Sequence, residues 1–70
     1  MSNELLMLKQ SIDEIVELAE EAKNEPRDDY NNGKRLAYIE TLSILKRTLI
    51  PLSIEPEELG LDFDIDKRFA

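Results

Sequence analysis

The chain has no cysteine and no histidine, and only two glycines among its 70 residues. Without cysteine there is no disulfide framework and no zinc–thiolate site. Nucleophile–base pairs of the Ser–His or Cys–His type cannot be built. The Glu-x-x-His metal site of helical bundles also lacks its histidine. The glycines, Gly33 and Gly60, stand alone, so no glycine-rich loop exists to cradle a phosphate. No apolar run approaches the roughly 20 residues of a membrane span. Met1-Ser2-Asn3-Glu4 places an acid where a secretory signal carries base. These absences point away from an enzyme, a metal and a cofactor, and make the cytoplasm the expected location.

The net charge is −7, with an isoelectric point near 4.4. An acidic chain is a poor direct ligand for nucleic acid, whose phosphates need clustered Lys and Arg, and for an anionic membrane surface. The charge is unevenly distributed. Residues 1–29 carry nine acids and three bases, residues 30–53 one acid and four bases, and residues 54–70 six acids and two bases. A basic middle segment therefore lies between acidic flanks.

Two helices account for most of the sequence. Leu5, Leu8, Ile12, Ile15, Ala19 and Ala22 alternate at spacings of three and four. This is the stripe of a helix packed lengthwise on another helix, and it predicts a first helix over about 3–23. Ser2 or Asn3 can cap its start, and Pro26 ends it by steering Glu25 away from helical geometry. Tyr38, Leu42, Leu45 and Leu49 recur in the same way and predict a second helix over about 28–50, capped by Asp28 or Asp29 and broken by Pro51. Asn31-Asn32-Gly33 can be read as a turn, which would start the helix at Lys34. The preferred reading keeps Gly33 inside the helix, one turn from Ala37, with both facing Ala22 and Ala19.

The short connection makes the two helices antiparallel neighbours. The architecture expected is all-α: a helical hairpin, a short C-terminal helical turn and an extended acidic tail. Pro56 suits the first position of that turn and Gly60 its exit, with Leu59 and Leu61 docking on the hairpin. Asp62-Phe63-Asp64-Ile65-Asp66 alternates acid and apolar residues, a strand pattern without a partner. Residues 62–70 are accordingly read as an extended or flexible tail of one domain spanning 1–70.

Other patterns carry less. Asp62-x-Asp64-x-Asp66 resembles the opening of a calcium loop, but Lys67 stands where that loop needs glycine. Tyr38 and Glu40 lie two apart, so they point to different faces of a helix and form no acid–base pair. The doublets Lys34-Arg35 and Lys46-Arg47 are expected to neutralise the acidic first helix, and Lys46-Arg47 also suits a helix C-terminus. The stretch Gly33-Lys34-Arg35-Leu36-Ala37-Tyr38-Ile39-Glu40-Thr41-Leu42-Ser43, followed by Leu59-Gly60-Leu61-Asp62, resembles a scattered set of short bacterial proteins with a G-[KR]-R-L-A-Y-x-E-x-L-S core and a downstream L-G-L segment. The likeness covers half the chain and implies no catalytic or binding residues, because no activity is established for that set.

A 70-residue chain orders its backbone and side chains at roughly 1.5 kcal/mol per residue, which apolar burial barely offsets at this size. With disulfides and zinc–thiolate sites excluded, self-association is the remaining source of stability. Leu6, Met7, Val16 and Leu18 on the first helix, and Ile39, Ile44 and Ile50 on the second, exceed what one seam can bury. The expectation is a homodimer of hairpins forming a four-helix bundle. Its seams are assigned to Leu5, Leu8, Ile12, Ile15, Ala19, Ala22, Gly33, Ala37, Tyr38, Leu42, Leu45 and Leu49. The function expected is that of a non-enzymatic protein-interaction module, an accessory or regulatory protein acting on a further protein partner. The alternative is an acidic mimic of nucleic acid that occupies a DNA- or RNA-binding protein.

Overall fold

A computed structural model describes residues 2–70. Helix α1 runs Asn3–Lys23. It begins where Ser2 Oγ accepts a hydrogen bond from the Leu5 amide at 3.1 Å, which satisfies one of the free N–H groups of the first turn. Helix α2 runs Asp29–Thr48 and starts in the same way, with Asp28 Oδ1 accepting from the Asn31 amide at 2.8 Å. Gly33 lies inside α2. The helix stops two residues short of Ile50, in a series of turns through Pro51, which has no N–H to donate. Ser53 follows at φ 55°, in the left-handed region.

A 3-10 turn over Pro56–Leu59 comes next, and Gly60 closes it at φ 73°. The side chain of Glu58 accepts from the Glu55 amide at 3.0 Å and holds the start of this turn. The Leu61 amide donates to the Pro56 carbonyl at 2.9 Å and holds its exit. Helix α3, Ile65–Phe69, is capped by Asp64, whose Oδ1 accepts from the Lys67 amide at 3.1 Å.

The extended tail is the main correction. Residues 62–70 fold back on the hairpin, forming α3 over Ile65–Phe69 with Ile65 and Phe69 buried. The strict alternation hides a second period of four: Ile65 and Phe69 share one face of α3, and Leu61, ahead of the helix, is buried in the same core. Packing that face on the hairpin outweighs the strand-like pattern. Phe63 meets Phe69 edge to face with ring centroids 5.9 Å apart. Arg68 lies 4.4 Å above the Phe63 ring and pairs with Glu20 of α1 at 2.6 Å. One ion pair thus ties the tail to α1, and the aromatic pair with Arg68 knits the tail to itself.

The second correction concerns α2. Gly33 and Ala37 do not face Ala19 and Ala22; both are exposed, and a Cβ built at Gly33 would meet nothing within 4 Å. The buried face of α2 is Arg35, Ile39 and Leu42, rotated away from the small residues. The small residues of α1 are therefore not matched by small residues on α2.

The molecule is a slab of 40 × 19 × 15 Å. Ile12 and Ala19 of α1, Ile39 and Leu42 of α2, Leu49, Leu59, Leu61, Ile65 and Phe69 form one core. This core lies in the groove of the hairpin on the side where the 3-10 turn and α3 sit.

Candidate functional site

The hairpin has two broad faces, and the C-terminal segment covers one of them. On α1 the covered side carries Asp13, Val16 and Glu20. A Cβ at Gly60 would stand 3.6 Å from Asp13 Oδ1, and Glu20 holds Arg68. On α2 it carries Ile39, Ser43 and Lys46. Lys46 Nζ donates to the Phe63 carbonyl at 2.7 Å. A cleft of about 520 Å3 lies between Ser43, Lys46 and Ile50 on one wall and Pro56, Asp64 and Ile65 on the other.

The opposite face is a different surface. Leu8 and Ile15 on α1, and Tyr38 and Leu45 on α2, touch the core yet remain half-buried. Helical spacing places Met7, Ser11, Glu14, Leu18 and Glu21 in one row beside the α1 pair. The same spacing places Lys34, Tyr38, Thr41, Leu45 and Thr48 in one row on α2. Met7 is 69% exposed and Leu18 41%. Leu5 is half-buried near the open end of the hairpin. Among the described residues, the two ion pairs and the tertiary side-chain hydrogen bonds involve none of the side chains in these two rows. The accessible surface of 4906 Å2 exceeds the roughly 4,500 Å2 typical of a monomer of this mass, in keeping with a face left uncovered.

The residues assigned to the seams from the sequence divide three ways. Ile12, Ala19, Ala22, Leu42 and Leu49 are buried within the single chain. Leu5, Leu8, Ile15, Tyr38 and Leu45 are half-buried, and Gly33 and Ala37 are exposed. Four of the half-buried five form the open face.

Hydrophobic patterning passes over Arg35, yet this residue is only 4% exposed. Its Nη2 donates to the carbonyls of Lys23, at 3.3 Å, and of Glu25 and Pro26, while Nη1 donates to Asn32 Oδ1 at 2.8 Å. These carbonyls stand at the negative end of the α1 dipole and in the connecting turn. The guanidinium is thus bonded to backbone carbonyls and one side-chain amide, and not to the carboxylates of α1. Lys46 is committed to Phe63. Neither doublet forms an ion pair with α1 among the described residues; the ion pairs there are Lys9–Asp13 and Glu20–Arg68.

Leu36 and Ile44 on the outer flank of α2, and Ile50 in the turns just past it, are also exposed apolar side chains. Leu36 and Ile44 border a cleft of about 340 Å3 that also includes Glu40, Arg47 and Asp66. Among the described residues no group of three acids could hold a metal ion, and no helix is long and apolar enough to cross a membrane. No family model, no curated protein and no solved structure matches the chain.

Proposed function

We propose that this chain is a non-enzymatic interaction module that works as a homodimer, joined through the open face of the hairpin. The observation that carries the proposal is the half-buried quartet Leu8, Ile15, Tyr38 and Leu45, flanked by exposed Met7 and Leu18. Each of these four residues has one side on the core and one side in water. A second copy of the same face would close over them and complete a four-helix bundle, the usual way for a two-helix unit to bury both of its apolar edges.

Apolar burial is non-directional and scales with area, at roughly 25 cal/mol per Å2. Two shallow rows therefore stabilise a dimer more effectively than they stabilise a lone hairpin. As a module, the dimer would leave its two C-terminal clefts and its outer α2 rows free for another protein. The test is thermal unfolding at several protein concentrations. Dimerisation predicts a midpoint that rises with concentration, because association draws on the folded state by mass action. A midpoint unchanged over a roughly hundredfold concentration range, where mass action on a dimer must move it, would remove the proposal.

The second reading, a mimic of nucleic-acid phosphate, draws on the exposed acids Glu14, Glu17 and Glu21 along α1. It predicts capture of a nucleic-acid-binding protein with an affinity that falls steeply as salt is added. Exposed Arg27, Arg47 and Lys67 weaken the field such a mimic would need.

A further inference from the structure

The dimer reading leaves two closed two-fold arrangements, and the charge layout selects one. If the two-fold axis crosses the bundle, the loops lie at opposite ends and each helix packs beside its own copy, α1 on α1 and α2 on α2. If the axis runs along the bundle, the loops lie at the same end and α1 of each chain packs beside α2 of the other. Both give antiparallel neighbours and both bury the same four half-buried side chains.

Helix α1 carries six acids and two bases, and α2 four bases and two acids. The row of α1 at the rim of the open face includes Glu14 and Glu21, and the matching row of α2 includes Lys34. With the axis across the bundle, two acidic helices would lie side by side. With the axis along it, Glu21 and Lys34, both near the turn, come level across the interface. We infer that the chain dimerises about a two-fold axis parallel to the helices, α1 of each protomer against α2 of its partner, with Glu21 of one chain opposite Lys34 of the other. This inference rests on the homodimer reading above.

Several features agree with it. Lys34 is half-buried and Glu21 exposed, and neither has an ion-pair partner among the described residues. Between the two charged sites at the turn end and the open end of the bundle, Met7, Ser11 and Leu18 of one chain would meet Thr41, Leu45 and Thr48 of the other, a mixed lining of apolar and small polar side chains. Exposed Ala37 lies beside this row and lets the helices approach closely. The C-terminal helices stay on the outside, at opposite edges of the bundle, so the interface leaves the clefts beside them open.

The test uses two charge reversals made on separate chains, Lys34→Glu and Glu21→Lys. In the inferred dimer, Lys34→Glu sets a new carboxylate against Glu21 at both sites, and Glu21→Lys sets a new ammonium against Lys34 at both. Each variant alone should dissociate about tenfold more readily than the parent, the effect expected of two exposed charge pairs. Mixed in equal amounts, they should form a heterodimer of near-parental affinity, because both sites are then complementary. Light scattering reads the mass, and circular dichroism checks that both variants keep their helices; both positions are on the helix surface. Added salt should narrow the gap between each variant and the parent. Parent and variants that all weigh one chain would overturn the homodimer reading together with this inference. A dimeric parent whose variants self-associate as tightly as it does, or fail to rescue each other on mixing, would overturn the axis and leave the homodimer standing.

Discussion

Arg35 reaches back across the connecting turn, and its Nη2 donates to the backbone carbonyl of Lys23 at 3.3 Å. With the bonds to Glu25 and Pro26, this makes one buried side chain the fastener between the end of α1 and the second turn of α2. A helix C-terminus leaves four carbonyls without intrahelical partners, and a planar guanidinium can serve several acceptors at once.

Replacing Arg35 by Met keeps much of the apolar stem and removes the donors. The change should destabilise the fold by about 2 kcal/mol, since it strands acceptors already bonded to a charged group. Arg35→Lys should recover only part of the loss, because a single ammonium does not reproduce the fork. Urea denaturation of the three chains, compared at one protein concentration, checks the order Arg, Lys, Met.

The two glycines predict opposite signs for one substitution. Gly33 sits inside α2 with open space where a Cβ would stand. Gly33→Ala should therefore stabilise the chain by about 0.5–1 kcal/mol through helix propensity and the unfolded-state entropy. Gly60 sits at φ 73°, and a Cβ there would make only an ordinary contact with Asp13. Gly60→Ala should destabilise it by about 1 kcal/mol from backbone strain alone. Thermal midpoints that shift in the same direction for both variants would contradict these conformations.

How much of this is legible from sequence differs between segments. Both helix starts can be read to within a residue, at Ser2 or Asn3 and at Asp28 or Asp29, because a side-chain oxygen before an apolar stripe has a local mechanism; Ser2 and Asp28 are the caps formed. The first stripe can be read too, since Ile12, Ala19 and Ala22 repeat at helical spacing and are buried. On α2 the stripe misleads near the turn. Small residues at Gly33 and Ala37 suggest a close seam, whereas the arginine between them is buried. Hydrophobic pattern does not reveal a charged side chain that is bonded to carbonyls brought close only by the turn. The tail misleads for a different reason. Its period of two and its period of four coexist, and only tertiary packing chooses between them. The face left open by α3 is legible only as a surplus of apolar residues, because the sequence does not say which side the tail covers.

The tail makes a testable claim of its own. Phe69 is 1% exposed and joins the core, so Phe69→Ala should cost about 3 kcal/mol and release α3. Arg68→Ala should cost about 1 kcal/mol or less, because the Glu20–Arg68 pair is two-fifths exposed. Limited proteolysis after Lys67 and Arg68 gives the readout. Rapid cleavage is expected for Phe69→Ala, and slow cleavage for the parent. Equal rates for the two would contradict the packed tail.

Two leucine substitutions separate the core from the open face. Leu42 is fully buried, and Leu42→Asp puts an unpaired charge where no water reaches, an effect of several kcal/mol. Cooperative unfolding by circular dichroism should be lost. Leu18 is at the rim of the open face, and Leu18→Asp should keep the helical signal while weakening self-association. If Leu18→Asp unfolds the chain as Leu42→Asp does, the two faces have been assigned wrongly.

Sedimentation equilibrium of the unaltered chain is the most direct measurement, since the account depends on a second copy covering Leu8, Ile15, Tyr38 and Leu45. The account predicts a mass of twice 8.1 kDa at high loading, falling reversibly toward one chain on dilution. A mass that stays at 8.1 kDa throughout would contradict it.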